Sequence, residues 1–532
     1  MGEIKLLDCT LRDGGYVIDW NFGHNNLISI FERSVDANVD IIEVGFLDDR
    51  RPFDINRSIM PDTDCVEKIF GDLDRKQAMV VGMIDYGTCD VKNIKPCSES
   101  YLDGIRVIFK KHLREPAMAY CAELKKLGYK VFAQLVSVTS YEDDEMMDLI
   151  RIANDVMPYA VSMVDTYGLM HQDNLKHYFD LLDKHLNVEI GLGYHAHNNF
   201  QMGYANCIEM LSHKTDRMML VDGSIYGMGK SAGNAPIELI AMHLNHVYGK
   251  NYQISQFLEA IDANIVNYYT PATWGYNMFY YLAASNDCHP TYVSDLINKR
   301  TLSVKSINEV LSRLQGEKKL LYDKEYIEQL YKEYQDIDID DSLDIEKLSQ
   351  EFKNRDVLII GPGKNLRLQK DRIKKCIDEY NPIIVSINFM EKDIESDYIF
   401  LSNSKRYLQL SSLLSRKSDT HKIIATSNVT KTNGKFDYTL KYSLLIDENA
   451  EVIDNSLIML LKVMKRIGVK NVHLAGFDGY EGGQTKSYIE DHMEYSFTKE
   501  EAKSITAYVK NFLVGLNKDF NFMFVTDSLY QD

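Results

Sequence analysis

Three short segments hold residue types able to bind a divalent cation and to steady a carbanion beside it. The first is Asp8-Cys9-Thr10-Leu11-Arg12-Asp13-Gly14-Gly15. Arg12 presents a rigid fork of donors suited to a carboxylate or an enolate oxygen, and Asp13 is a hard oxygen ligand. The paired glycines let the backbone turn sharply and admit a substrate. The second is His195-Ala196-His197-Asn198-Asn199. Side chains alternate along an extended chain, so His195 and His197 project to one side and suit neighbouring ligand positions. Two imidazoles and a carboxylate leave positions open on a metal for substrate to fill. The third runs from Asp222 to Glu238, a glycine-rich loop entering a helix. There Asn234 offers an amide oxygen to the metal or to a ligand. Gly229-Lys230-Ser231 ends like a phosphate-binding P-loop, but Ser224 stands where the first glycine belongs, so a P-loop is not expected. Each segment alone has a plain explanation: a turn or cap, an incidental pair, a loop.

Their positions on the chain give them weight together. Eight apolar runs read as strands: Ile4–Leu7, Ile41–Gly45, Ala78–Met83, Gly104–Ile108, Val131–Leu135, Val161–Val164, Glu189–Gly193 and Met218–Asp222. Most are predominantly apolar rather than alternating, as strands covered on both faces are. Helix-length stretches separate them. Met118–Leu127 has apolar residues at helical spacing, with Pro116 before it and Gly128 after it as start and stop. Eight such units in about 250 residues predict an α/β fold, a (β/α)8 TIM barrel, with a doubly wound open sheet as the competitor. The three segments follow strands one, seven and eight. These become neighbours when a barrel closes, at the end where barrel enzymes keep their active sites.

The chain has 532 residues, 45% hydrophobic and 26% charged, with a formal net charge of −18. That balance fits a globular protein with a sizeable core and speaks against nucleic-acid or membrane-surface partners. No basic leader precedes a long apolar run, and no run of 18 apolar residues occurs, so a cytoplasmic protein is expected. Eight scattered cysteines form no CxxC pair and read as reduced thiols. Length predicts more than one domain: a barrel with helical cover over 1–300, a helical acidic connector over 301–354, and a Rossmann-like α/β domain over 355–532. Asn267–Tyr281 is expected as a helix over the barrel mouth, and Gln335–Leu348 as a solvated linker.

Thr10-Leu-Arg-Asp-Gly14, His195-Ala-His-Asn-Asn199 and Gly227-Met-Gly-Lys-Ser-Ala-Gly-Asn-Ala-Pro-Ile-Glu238 together resemble the DRE-type TIM-barrel metallolyases, the HMGL-like family, over about residues 1–300. Members include 4-hydroxy-2-oxovalerate aldolase, HMG-CoA lyase, isopropylmalate synthase and homocitrate synthase, and the third segment looks closest to the aldolase branch. The resemblance implies Asp13, His195 and His197 as ligands to Mn or Mg, Asn234 as a further ligand, and Arg12 as the group that stabilises the enolate. It implies that Glu43, Asp165 and Thr166 line the pocket. It also implies a divalent-metal-dependent lyase that splits or joins a 2-oxo acid and an aldehyde through a pyruvate-type enolate. An acyl-CoA-dependent Claisen condensation is the alternative. One departure stands out. The aldolase branch places an acid–base histidine after the Arg-Asp-Gly-x run, where this chain has Tyr16. A phenol is a poor base near neutrality unless strongly shifted, so His289 and Tyr292 become candidates for the missing base. A homo-oligomer is expected.

The last third carries weaker signals. Leu358-Ile-Ile-Gly361-Pro-Gly363 is a strand and glycine turn able to receive a phosphate on backbone N–H groups, although a dinucleotide fingerprint would need glycine at Leu366. With Ala475-Gly-Phe-Asp478-Gly-Tyr480, the pattern resembles the glycosyltransferase-like domains of bacterial surface-polysaccharide enzymes. That resemblance implies a nucleotide-sugar site at Gly361, Gly363 and Asp478, and a role in building a capsule or lipopolysaccharide sugar. A second reading makes this domain the working part and the barrel a scaffold.

Overall fold

The computed structural model describes residues 2–270, 273–299, 301–391, 393–416, 421–429, 436–447, 452–480, 488–489 and 498–531. The chain divides into two compact units, Met1–Pro290 and Thr291–Asp532.

The first unit is a closed parallel barrel. Its strands are β1 (Ile4–Asp8), β2 (Ile41–Leu47), β3 (Ile59–Met60), β4 (Met79–Asp85), β5 (Gly104–Phe109), β6 (Lys130–Leu135), β7 (Ala160–Asp165), β8 (Gly191–Ala196) and β9 (Met219–Gly223). Around the ring the order is β1-β9-β8-β7-β6-β5-β4-β2, and β2 returns to β1 through Leu7↔Ile41 and Asp8↔Ile42. The doubly wound alternative is thereby excluded for this unit. The short β3 pairs only with β2, outside the ring. Helices such as His24–Asp36, Asp143–Val156 and Gln172–His185 cover the outside, and between β4 and β5 there are only short 3-10 turns. Alternate strand residues point inward. Leu7, Ile41, Met79, Val81, Phe132, Ala160 and Leu220 form a small apolar cluster of their own. Glu43, Arg106, Gln134, Ser162 and Asp222 are polar residues buried on the same strands.

All eight barrel strands fall where the apolar runs predict them, within a few residues. The predicted helix at Met118 starts earlier, at Arg114. Pro116 therefore sits in its first turn, where a missing N–H loses no helix bond. Asn267–Tyr281 is not one helix. A 3-10 turn covers Val266–Tyr268 and a helix begins only at Met278. Between them Trp274 Nε1 donates to the Tyr226 carbonyl at 2.9 Å, and Gly275 N donates to the Ala232 carbonyl at 3.1 Å.

The second unit holds a seven-stranded, wholly parallel sheet. Its strands are β10 (Val357–Ile360), β11 (Ile383–Ile387), β12 (Tyr398–Leu401), β13 (Lys422–Thr426), β14 (Tyr438–Leu440), β15 (Asn471–Ala475) and β16 (Asn521–Phe524), in the order β14-β13-β12-β11-β10-β15-β16. The sequence pattern does not reveal β14. The expected solvated linker at 335–348 is instead packed into this unit: Gln335 Nε2 donates to Tyr442 Oη at 3.0 Å, and Arg466 grips the buried Asp341 at 2.7 and 2.6 Å. All eight cysteines are free thiols. No helix among the described residues is long and apolar enough to cross a membrane.

Gly45 in β2 has φ = 144°, and a Cβ there would lie 1.9 Å from the Ser58 carbonyl oxygen. Gly45→Ala should therefore destabilise the barrel by at least about 1–3 kcal/mol, read as a lower urea midpoint. An unchanged midpoint would contradict the close approach of these two segments.

Candidate metal centre

The ends of β1 and β8 bring three donors to one spot. One ligand atom each from Asp13, His195 and His197 lies within 4.8 Å of the other two, and all three residues are buried. What aims them is the partner of each side chain. Asp222, at the end of β9, lies with Oδ2 3.0 Å from His195 Nδ1. The Lys230 carbonyl lies 3.2 Å from His197 Nδ1. With both Nδ1 atoms occupied as donors, both Nε2 lone pairs turn toward Asp13, with Nε2···Oδ2 separations of 3.5 Å for His195 and 3.9 Å for His197. A carboxylate or carbonyl behind an imidazole is how proteins fix a metal-binding tautomer. Asp13 Oδ1 in turn accepts from Lys230 N at 2.9 Å, which holds the third segment against the first.

Asn234 completes the cradle. A backbone bridge pairs it with His197, and its Nδ2 donates to the Met228 carbonyl at 3.3 Å. Its Oδ1 is buried without a hydrogen-bond partner, an arrangement native proteins avoid unless something else satisfies the atom. Gly229 lies between Asn234 and Asp13. A Cβ on it would stand 2.2 Å from Asn234 Nδ2 and 2.7 Å from Asp13 Oδ1, so only glycine allows these side chains to approach. One ionised carboxylate, two oriented imidazoles and an orphan amide oxygen fit a divalent cation.

The ligands belong to a closed circuit of buried charge. Asp13 Oδ2 meets Arg12 Nη1. Arg12 Nε donates to Glu43 Oε2 at 2.8 Å, and the same oxygen lies 3.1 Å from Arg106 Nη1. Arg106 Nη2 meets Asp222 Oδ2 and donates to Gln134 Oε1 at 3.0 Å. Asp222 leads back through His195 to Asp13. Three carboxylates (Asp13, Glu43, Asp222) and two guanidiniums (Arg12, Arg106) leave this circuit at −1 when the imidazoles are neutral. A cation at the mouth is the natural complement.

Residues 3–263 match the model of the HMGL-like family. The first unit carries an HMGL-like domain. The chain is 24% identical over 264 residues to a 4-hydroxy-2-oxovalerate aldolase of Salinispora arenicola, covering 49% of this chain and 73% of that protein. It is 26% identical over 256 residues to an oxaloacetate decarboxylase of Mycobacterium tuberculosis, covering 46% of this chain and 70% of that one. Among solved structures, the N-terminal domain of a putative aldolase from Bacteroides vulgatus aligns at 23% identity with a TM-score of 0.48, over 57% of this chain and 99% of that one. By its family model the HMGL-like domain is of the aldolase and lyase type.

The other expected residues divide into two groups. Arg12 stands beside Asp13, and among the described residues its Nη2 has no acceptor. Glu43 is wholly buried behind Arg12 and bridges it to Arg106, so it positions the guanidinium instead of lining the pocket. Tyr16 is 40% exposed; partial desolvation and the nearby Asp13, Asp85 and Glu43 carboxylates raise its phenol above the ordinary value, and Arg12 opposes that shift. Tyr16 therefore stays protonated, a donor and not a base. His289 belongs to the same unit as the HMGL-like domain. Burial first, then the Lys230 charge, lowers its pKa. Tyr292 belongs to the second unit. Its hydroxyl donates toward the Lys318 and Leu321 carbonyls at 2.7 and 2.9 Å and accepts from Asp323 N at 2.9 Å, leaving it no capacity as a base. Asp165 is occupied by the amides of Leu169 (2.8 Å) and Met170 (3.1 Å), and Thr166 Oγ1 accepts from Ser137 N at 2.7 Å, so both tie down strand ends.

In the second unit the glycine turn offers no phosphate cradle. Gly361 N and Gly363 N each donate at 2.8 Å, to the Ala475 and Gly476 carbonyls, and Asn365 N donates to Asp478 Oδ2 at 3.0 Å. Asp478 already takes the place an anion would have filled.

Three residues were not assigned roles from sequence: Asp222, Arg106 and Lys230. Arg106 left a signal, a lone charge inside the apolar run Gly104–Ile108. Lys230 lies near-buried with Nζ 5.4 Å from the Tyr16 ring centroid, and burial lowers its pKa.

Two outcomes are expected. Asp222→Asn should weaken Mn2+ binding about 10–100-fold, measured by calorimetry; unchanged affinity would show that Asp222 does not orient His195. Burial depresses the His195 pKa, but the bonds to Asp13 and Asp222 outweigh it, so the metal-free imidazole titrates above its ordinary value. His197, with its pKa lowered to about 3, is already neutral. A proton on His195 must leave before Nε2 can bind. Mn2+ affinity should therefore fall about tenfold per pH unit below the His195 pKa and level off above it. Flat affinity from about pH 8 to about pH 5 would contradict this.

Proposed function

We propose that the HMGL-like domain cleaves or forms a carbon–carbon bond of a 2-oxo acid through the enolate of pyruvate. The observation that carries the reading is the aim of His195 and His197: tied at Nδ1, both present Nε2 to Asp13, directly beside Arg12. The named relatives support the substrate class. 4-Hydroxy-2-oxovalerate and oxaloacetate are both 2-oxo acids, and breaking C3–C4 of either leaves the pyruvate enolate.

A divalent cation such as Mn or Mg, held by Asp13, His195, His197 and Asn234, would supply a Lewis acid for the ketone. The chain's own groups do the rest. Arg12 Nη2 faces the carboxylate or the enolate oxygen, where its charge counts most because the surroundings are buried. His289, neutral near pH 7, takes the proton from the C4 hydroxyl as the C3–C4 bond breaks and the electron pair moves toward C2. A proton returned to C3 completes pyruvate. Tyr16, kept protonated, donates a hydrogen bond to the carbonyl oxygen of the leaving aldehyde. The eight free thiols support a reducing, cytoplasmic setting.

With Mn2+ present, the enzyme should exchange the methyl protons of pyruvate for deuterium from solvent, followed by NMR, and Asp13→Asn should reduce exchange to the uncatalysed rate. Absence of exchange with every divalent metal tried would overturn the pyruvate reading. Acetyl-CoA added with a 2-oxo acid should release no free CoA; release would favour Claisen condensation. His289→Gln should lower kcat for aldehyde release by about 10²–10⁴-fold with Mn2+ affinity unchanged. With Mn2+ saturating at every pH, it should also remove the acidic limb of the pH–rate profile, and a variant that keeps that limb under saturation would exclude His289 as the base.

A further inference from the structure

The second unit has a cavity whose chemistry the barrel reaction does not use. In its sheet the chain runs outward from β10 through β11, β12 and β13 to β14, then returns to place β15 and β16 on the other side of β10. The order thus reverses between β10 and β15. In open parallel sheets the loops beyond the carboxyl ends diverge at such a point and leave a crevice where ligands bind. A cavity of about 240 Å³ lies there. Pro362 and Gly363 after β10, Asn388 after β11, Asn403 after β12, and Phe477 and Asp478 after β15 line it.

Its polar atoms show what it would recognise. Tyr530 is 8% exposed and lines the cavity, yet among the described residues its hydroxyl has no hydrogen-bond partner. Asp478 uses Oδ2 on Asn365 N, while among the described residues its buried Oδ1 has no hydrogen-bond partner. Asp454, also 8% exposed, receives Tyr331 and Tyr442 hydroxyls on Oδ2 at 3.0 and 3.1 Å. Ser456 Oγ, fixed by Asn388 Nδ2 at 2.8 Å, faces the same space. Lys299, tied to Glu328 at 2.7 and 2.9 Å, and Arg406 also line the cavity, so carboxylate and phenol oxygens stand beside cationic donors and call for a ligand whose groups both donate and accept hydrogen bonds, as hydroxyls do. The flanking rings of Phe477 and Tyr480 suit its apolar face. The amides that would hold a diphosphate are already occupied at Gly361, Gly363 and Asn365. The volume falls below the about 300–1,000 Å³ of pockets that take drug-sized ligands, which suits one sugar ring and not a nucleotide sugar.

We infer that the second unit binds a monosaccharide-sized polyol in this crevice, with Asp478 and Tyr530 as the hydrogen-bonding pair that receives its hydroxyls. The inference does not depend on the proposed barrel reaction.

The test is saturation-transfer NMR on the full chain with free hexoses and N-acetylhexosamines, and separately with UMP and UDP. At least one sugar should show transfer to its ring protons. Tyr530→Phe and Asp478→Asn should each weaken its binding at least about tenfold, the loss expected for one hydrogen bond to a buried polar or charged group, with unchanged far-UV circular dichroism. Asp13→Asn should leave binding intact. No transfer from any sugar, equal transfer in both folded variants, or transfer from UMP or UDP with none from the sugars would overturn the inference.

Discussion

The site depends on how five ionised groups and an imidazole are buried in the barrel without any of them losing a partner. An unpaired buried charge costs several kcal/mol, so each must find an opposite charge or a donor. Arg106 meets that demand from the middle of β5. One guanidinium nitrogen serves Glu43, which holds Arg12, and another serves Asp222, which holds His195. Arg12 and the candidate ligand His195 are therefore set by the same side chain. The circuit carries −1 with neutral imidazoles, and one of its three carboxylates, Asp13, is the one toward which both Nε2 atoms turn. Metal affinity and substrate orientation thus rest on one network, at the cost of holding fixed charges in the barrel interior.

The barrel was legible because its strands are buried on both faces. Largely apolar runs such as Ala78–Met83, eight of them at helix-length spacing, point to strands covered by helices. The ligands were legible because type and spacing coincide: a His-x-His in a strand, and an aspartate and a glycine loop at neighbouring strand ends. Residues acting through others were harder to see. Asp222 is one aspartate among many at a strand end, and only the closed ring shows that it backs His195. Tyr292 illustrates the opposite failure. Its residue type and its nearness to His289 in sequence made it a candidate base, yet carbonyls within its own unit take up its hydroxyl. The three-residue β14 at the sheet edge is too short for any periodicity to show.

The glycine turn at Gly361 shows why a motif needs its surroundings. A strand followed by Gly-Pro-Gly resembles a phosphate loop in sequence. In the structure the carboxylate of Asp478 takes the Asn365 amide, and the Ala475 and Gly476 carbonyls take those of Gly361 and Gly363. What survives is the more general property of the sheet, a crevice where strand order reverses, lined by carboxylates and phenols together with Lys299 and Arg406.

The central claim is that Asp13, His195 and His197 converge on one cation. The most direct measurement is anomalous scattering from crystals soaked in Mn2+. A single strong peak should appear within coordination distance of one Asp13 carboxylate oxygen and both Nε2 atoms, with Asn234 Oδ1 turned toward it. Density showing both histidine rings swung apart, or a manganese peak elsewhere with this spot empty, would contradict the account.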